Sequence, residues 1–187
     1  MGSILITGGA RSGKSHYAQE LALKSGQPVL FVATAQAGDE EMRQRIAEHR
    51  RNRPATWRTL EVTTHVGHEI RQKIGGARVV IIDCLTLLVS NIFGQFTDEA
   101  GELIDSARVE AEAVKEIDEL LECLNRLDAS FIIVTNEVGA GLVPVSQMGR
   151  LYRDVLGRTN RRLAESADRV YLMVAGLPVA IKTPAGG

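Results

Sequence analysis

The sequence predicts an α/β fold, a mostly parallel β-sheet with helices on both faces. Short, near-continuous apolar runs alternate along the chain with segments of helical spacing. Strands that are apolar at every position are typical of a sheet buried on both sides. The 187 residues, 44% of them apolar, suit one domain spanning residues 1–187. A final pair of runs around a glycine turn predicts a C-terminal antiparallel hairpin at the sheet edge.

The first half of the chain alternates four predicted strands with three predicted helices. The strands are Ser3–Thr7, Val29–Thr34, Trp57–Val62 and Arg78–Asp83. Helical spacing predicts helices over Lys14–Ser25, from Asp39 to about Arg53, and over Thr64–Ile74. Gly26 ends the first helix, and Asp39 could cap the second, which Pro54 follows.

The second half opens with the longest helical pattern of the sequence, from about Asp98 to Leu127, where apolar residues recur at three- and four-residue steps. Ser130–Thr135 predicts another buried strand, and a glycine-rich loop leads to a helix over about Gln147–Ser166. Arg169–Val174 and Val179–Lys182 predict the edge hairpin.

Composition excludes several classes of function. The 22 basic and 23 acidic side chains nearly cancel, so no basic excess would hold a nucleic acid, and 4% aromatic content disfavours a base-stacking platform. Cys84 and Cys123 lack metal-binding spacing, which favours reduced thiols in a cytoplasmic protein. No apolar run approaches the roughly 20 residues that span a bilayer, and no signal peptide is recognisable. We therefore expect a cytoplasmic protein without a membrane span.

The loop between the first strand and the first helix carries a complete G-x-x-x-x-G-K-S pattern, the P-loop of NTPases. It comprises Gly8, Gly9, Ala10, Arg11, Ser12, Gly13, Lys14 and Ser15. Its backbone N–H groups and the helix N-terminus can surround phosphate oxygens. Lys14 can reach the β- and γ-phosphates, and the Ser15 hydroxyl can ligate Mg²⁺. The pattern therefore predicts a P-loop NTPase fold that binds a nucleoside triphosphate.

Two acidic residues are candidates for metal-binding or catalytic roles beside the P-loop. Asp83 ends the apolar strand V-V-I-I-D, the Walker-B arrangement that holds Mg²⁺. The alternative is a surface carboxylate that caps the strand end. Glu137 follows the strand F-I-I-V-T and could order water, polarise a hydroxyl group or cap the following loop.

His49 lies in an arginine-rich segment of a predicted helix, on one face with Met42 and Ile46. Arginines could neutralise phosphate oxygens and lower the pKa of His49, leaving a ring nitrogen free to attack. The alternative is an amphipathic surface helix with a partly buried histidine, and the residues alone favour it. The arginines of the segment are Arg43, Arg45, Arg50, Arg51, Arg53 and Arg58.

Six segments together resemble the bifunctional cobinamide kinase / cobinamide-phosphate guanylyltransferase family of cobalamin biosynthesis. They are ILITGGARSGKS, VLFVATAQ, RIAEHRRNRPATWRTLE, IIDCLTLLVSN, IIVTNEVGAGLVP and GRTNRRLAESADRVYLMVAG, in the same order over nearly the whole chain. Many families share the P-loop, but its combination with H-R-x-x-R-P-x-x-W and TNEVG is specific. The resemblance implies that ATP or GTP phosphorylates adenosylcobinamide, and that GMP then passes from GTP to adenosylcobinamide phosphate.

The resemblance also implies site residues and an assembly. His49 matches the histidine that carries GMP covalently, and Glu48 stands where some members have a second histidine. Members of the family form homotrimers, and the resemblance implies the same assembly for this chain. The tail after Lys182 lies outside the resemblance. Besides the P-loop, the nucleotide contacts of the family match Ala33, Thr34, Ala35, Arg50, Arg51, Asn52, Arg53, Glu61 and Asp83.

Two other functions stay open from the residues. One is a plain P-loop small-molecule kinase in which His49 is structural. The other is a nucleotide-binding regulatory switch, although the guanine-reading N-K-x-D motif is missing and Thr135-Asn136-Glu137-Val138 resembles it only superficially. Labelling of the protein by GTP and turnover of cobinamide distinguish these functions.

Overall fold

The computed structural model describes residues 2–38, 40–51, 53–98, 103 and 105–184, which form one mixed sheet flanked by helices. The strands are β1 (Ser3–Gly8), β2 (Val29–Ala33), β3 (Arg58–Glu61), β4 (Val79–Asp83), β5 (Ser130–Val134), β6 (Arg169–Val174) and β7 (Leu177–Lys182). The helices are α1 (Lys14–Ser25), α2 (Glu40–Arg51), α3 (Val66–Lys73), α4 (Leu85–Gln95), α5 (Ser106–Arg126) and α6 (Gln147–Ser166). Among these described helices, none is long and apolar enough to cross a membrane.

The strand order is β3-β2-β4-β5-β1-β6-β7, with β1 to β6 parallel and β7 antiparallel to β6. The predicted fold class is thereby confirmed. In register, Asp83 pairs with Ala33 on one side and Val134 on the other, and Ala33 pairs with Glu61. The carboxyl ends of four neighbouring strands therefore lie in one row, and the loop after Gly8 opens at the same edge.

Both faces of the sheet are buried, as the unbroken apolar runs predict. Along β2, Leu30 and Val32 pack into a cluster that includes Leu120 of α5, whereas Phe31 packs into a cluster with Ala18 of α1 on the opposite face. Successive side chains of a strand point to opposite faces, so a strand covered on both sides needs apolar residues throughout. Each such fully buried side chain contributes about 1.5–3 kcal/mol.

The long helix predicted from Asp98 is wrong at its start. α5 begins only at Ser106, because Asp105 caps it by accepting a hydrogen bond from the Arg108 backbone N–H at 3.0 Å. Before this cap, Thr97 forms an antiparallel bridge with Leu103. Ile104, which belonged to the predicted pattern, and the predicted cap Asp39 lie outside the described residues.

The apolar helix α4, directly after β4, was not predicted from the sequence. Its Leu85, Leu88, Val89, Ile92 and Phe93 are buried. The other predicted elements agree with the structure within about two residues, a normal uncertainty for element ends.

Candidate functional site

The P-loop is a tight turn whose shape depends on two glycines. Gly8 has φ +148° and Gly13 has φ +95°, backbone conformations that residues with a Cβ rarely adopt. A Cβ at Gly8 would lie only 2.6 Å from the carbonyl oxygen of Met173. The turn between β6 and β7 supports the loop from behind, since the Gly176 N–H donates to the Ser12 carbonyl at 3.1 Å. The edge hairpin thus helps to shape the loop.

Lys14 is buried at the start of α1, with 7% of its surface exposed. Its Nζ donates a hydrogen bond to the Gly9 carbonyl oxygen at 2.6 Å, which holds the ammonium group against the loop. Burial raises the pKa of the Cys84 thiol to about 11; Asp83 also raises it, and Lys14 lowers it. The charges of Lys14 and Asp83 therefore both affect the Cys84 thiol, although β5 lies between β4 and β1, the strand that leads to Lys14.

The backbone around Asp83 is fixed by the buried Thr34, at the end of the neighbouring strand. The Thr34 N–H donates to the Asp83 carbonyl at 3.3 Å. Its hydroxyl donates to the Cys84 carbonyl at 2.7 Å and accepts from the Cys84 N–H at 2.9 Å. Asp83 is half-buried at the carboxyl end of β4, where the Walker-B interpretation expects it. Its contact with Mg²⁺ stays a prediction.

An arginine-lined cavity of about 310 Å³ lies along β3, two strands from Asp83. Arg53 stacks on Phe31, with its guanidinium carbon 3.7 Å from the ring centroid. Burial lowers the pKa of Arg53, while Asp83 and Glu61 act in the opposite direction. Arg50 forms an ion pair with Glu61. The lining residues are Arg50, Arg53, Pro54, Ala55, Trp57, Thr59 and Glu61.

This cavity brings together residues from two of the predicted nucleotide-binding segments, 50–53 and 61. Arg51 is exposed at the end of α2, and Asn52 lies outside the described residues. Ala35 is half-buried in the loop after β2.

His49 belongs to α2, but its side chain lies outside the part of the chain that the structure describes. Met42 and Ile46, which the helical spacing places on the same face, are half-buried. This burial agrees with the predicted inward stripe. The role of His49 as nucleophile stays a prediction.

Glu137 is exposed and fits the simplest of its three interpretations, a loop cap. Its carboxylate accepts a hydrogen bond from the Gly139 N–H at 2.7 Å. Its own N–H donates to the Gly8 carbonyl at 3.0 Å, which ties the end of β5 to the P-loop.

Several polar residues join these segments by hydrogen bonds and were not predicted from the sequence. Asn91 of α4 donates through Nδ2 to the carbonyls of Thr34 at 2.8 Å and Thr63 at 3.0 Å. The Thr86 hydroxyl accepts from the Asn136 N–H at 2.8 Å. Recognising the apolar spacing of LTLLVSNIF as a helix could have placed Asn91 and Thr86 at this edge of the sheet.

Comparison with known proteins identifies the family. A family model described as cobinamide kinase / cobinamide phosphate guanyltransferase matches residues 4–181. Bifunctional adenosylcobalamin biosynthesis protein CobP of Pseudomonas aeruginosa is 44% identical over 178 residues, covering 95% of this chain and 96% of that protein. The CobU proteins of Escherichia coli and Salmonella typhimurium, of the same description, are 43% and 42% identical over 180 residues, covering 96% of this chain and 99% of each relative.

A solved structure from Pyrococcus horikoshii shares the fold, with a TM-score of 0.56 and 9% identity over 97% of this chain and 86% of that one. The family match covers the P-loop pattern and all seven described strands from Ile4 to Ile181. The chain belongs to the cobinamide kinase / cobinamide phosphate guanyltransferase family.

Proposed function

We propose that a single P-loop domain performs both reactions of this family in succession. It phosphorylates the aminopropanol hydroxyl of adenosylcobinamide with ATP or GTP, and then transfers GMP from GTP to adenosylcobinamide phosphate, releasing pyrophosphate. The carrying observation is that the carboxyl ends of the strands hold both the P-loop, with Lys14 buried against it, and Glu61, which pairs with Arg50 in the arginine-lined cavity. Two cationic regions suit a protein that handles phosphate groups in two ways.

The phosphorylation step depends on positioning and on charge. The N–H groups of residues 8–15 and the N-terminus of α1 bind phosphate oxygens, and Lys14 neutralises negative charge on the β- and γ-phosphates. The substrate hydroxyl attacks the γ-phosphorus and releases its proton to solvent, the bond to the β-phosphate oxygen breaks, and the nucleoside diphosphate leaves. The protein forms no covalent bond to the substrate in this step. Orientation of the reactants and fixed charges lower the activation free energy.

The Ser15 hydroxyl and the Asp83 carboxylate fit Mg²⁺. Both supply oxygen, the donor atom that Mg²⁺ prefers, and such sites use few carboxylates together with water and phosphate oxygens. When bound, Mg²⁺ would neutralise charge on the transferred phosphoryl group. Ser15 is half-buried in the first turn of α1 and Asp83 is half-buried at the end of β4, so each side chain can contribute an oxygen at the sheet edge.

The second reaction uses covalent catalysis by His49. A ring nitrogen attacks the α-phosphorus of GTP, forming a nitrogen–phosphorus bond as pyrophosphate leaves. A phosphate oxygen of the cobinamide phosphate then attacks the same phosphorus and frees His49. Arg50, Arg51 and Arg53 offset the negative charge. We propose that Ala33, Thr34, Ala35, Asn52 and Glu61 also contact the nucleotide.

Labelling with GTP that carries radioactive phosphorus at the α-position tests this function. The wild type should acquire an acid-labile, alkali-stable label, and His49→Ala should acquire none while still phosphorylating cobinamide. His68→Ala is the matched control, because His68 is exposed on α3, where its ring hydrogen-bonds with Gln72 of the same helix. This control should label normally.

The other outcomes identify the alternatives. A label that persists in folded His49→Ala places the nucleophile elsewhere. A wild type that phosphorylates cobinamide without ever becoming labelled is a plain small-molecule kinase. Hydrolysis of GTP without any turnover of cobinamide identifies a regulatory switch.

We also propose that the protein is a homotrimer in the cytoplasm. Apolar side chains suitable for contacts between subunits are exposed at Leu142 and Val145, 96% and 97% exposed, and along β7. The free thiols Cys84 and Cys123 fit a reducing compartment. Sedimentation of a monomer at assay concentration would contradict the trimer.

A further inference from the structure

A second cavity, of about 420 Å³, opens beside the first turns of α2. One face of α4 forms much of its wall, with residues spaced three and four apart as on one side of a helix. The loop after β2, the start of α2 and the loop after β3 complete it. The lining residues are Gln36, Gly38, Met42, Thr63, Leu87, Ser90, Asn91, Gly94 and Gln95.

The described lining of this cavity differs chemically from the arginine-lined cavity. Gln36, Asn91 and Gln95 supply carboxamides, and Thr63 and Ser90 supply hydroxyls. Met42 and Leu87 add apolar surface. Carboxamides both donate and accept hydrogen bonds, so this lining complements a ligand that itself carries neutral amides. Phosphate groups form stronger, charge-assisted hydrogen bonds with guanidinium groups such as those of the arginine-lined cavity.

The cavity is connected to the end of β4. Asn91, in its wall, donates to the Thr34 carbonyl at 2.8 Å, and the Thr34 N–H donates to the Asp83 carbonyl at 3.3 Å. These two bonds also fix the Asn91 side chain, leaving its Oδ1 as a positioned acceptor. Ligands of α/β sheets bind beyond the carboxyl ends of the strands. A molecule in this cavity would therefore sit beside the proposed phosphoryl-transfer site.

We propose that this cavity binds the corrinoid substrate through its carboxamide side chains. The inference rests on the proposed function, which requires such a substrate, and adds the place where it binds. The volume lies within the range of about 300–1,000 Å³ that is common for small-molecule sites. A corrinoid is larger than the cavity, so one edge of the macrocycle enters. The aminopropanol arm then extends along the sheet edge toward the P-loop.

Filling the cavity tests this inference. A Cβ built on Gly94 meets nothing within 4 Å, so Gly94→Phe adds a side chain to the cavity wall without displacing backbone. Gly157→Phe is the matched control, since Gly157 also lies in a helix, is exposed, and has equally open space. Phenylalanine keeps Trp57 as the single tryptophan, whose fluorescence reports nucleotide binding at the arginine-lined cavity.

Equilibrium binding of cobinamide, followed by its visible absorbance, should be at least about tenfold weaker for Gly94→Phe and unchanged for Gly157→Phe. The affinity of Gly94→Phe for GTP should stay within about twofold of the wild type. Gln95→Leu, which removes one carboxamide at similar size, should weaken cobinamide binding by about threefold. This milder variant decides the outcome if Gly94→Phe proves unfolded by circular dichroism.

Unchanged cobinamide affinity in folded Gly94→Phe, or in Gln95→Leu if that variant decides, overturns the inference while leaving the proposed function intact. Loss of GTP binding with cobinamide binding retained also overturns it, and identifies the cavity as a pocket for the nucleotide base. A wild type that neither binds nor phosphorylates cobinamide removes the proposed function and this inference together.

Discussion

Replacing Lys14 by methionine should disable both reactions without unfolding the protein. Methionine keeps an unbranched stem of similar length, so the packing of this 7%-exposed residue is largely retained. The variant loses the positive charge that Nζ holds 2.6 Å from the Gly9 carbonyl. At an effective dielectric constant of about 20, a charge about 4 Å from a phosphate oxygen contributes about 4 kcal/mol. That corresponds to roughly a thousandfold loss in kcat/KM.

The assay measures kcat/KM for cobinamide phosphorylation with ATP and the rate of GMP labelling with GTP. Thermal unfolding is the control, and Tm should be equal to or above that of the wild type, because an apolar side chain replaces a buried ammonium. Activities within about tenfold of the wild type would refute the assignment of Lys14 to the phosphates. A large fall in Tm would instead show that Lys14 supports the fold.

Two further predictions concern carboxylates. Asp83→Asn should raise the Mg²⁺ concentration that both assays need, with Tm nearly unchanged, and an unaltered Mg²⁺ titration would reduce Asp83 to a strand cap. Glu116→Ala should cost about 2–4 kcal/mol of unfolding free energy at neutral pH, because the His65 and Val66 N–H groups lose their acceptor. Burial raises the pKa of Glu116, so its contribution to stability falls as pH rises through that pKa, and Glu116→Gln should flatten this part of the stability–pH curve.

Much of the fold could be predicted because its signals are local. The helices Lys14–Ser25 and Gln147–Ser166 agree with the structure at both ends. Gly26 ends the first in the left-handed conformation, and Ser146 caps the second by accepting from the Gly149 N–H. The P-loop needs only consecutive residues, so its pattern indicated the loop directly.

The site could be predicted only in part, because its contacts join distant parts of the chain. The stacking of Arg53 on Phe31 and the pairing of Arg50 with Glu61 depend on which strands are neighbours. Hydrophobic periodicity identifies strands but carries no strand order. For the same reason, the hydrogen bond from the Gly176 N–H to the Ser12 carbonyl of the P-loop could not be predicted from the sequence. The early start predicted for α5 had a local cause, since Asp105 caps the helix and Ser106 is its first residue.

The strand order explains how one sheet edge can serve two phosphate chemistries. Three steps separate β1, which leads into the P-loop, from β2, which leads toward α2 and His49. At about 4.8 Å per step, the two strand ends lie about 14 Å apart. The end of β4, with Asp83, lies between them, and the cavity with an uncharged described lining opens beside α4 and the loops after β2 and β3. A corrinoid bound in this cavity, as proposed, would extend along the strand ends toward the P-loop, so one bound substrate would meet a γ-phosphoryl donor and a guanylyl donor in turn at the same sheet edge.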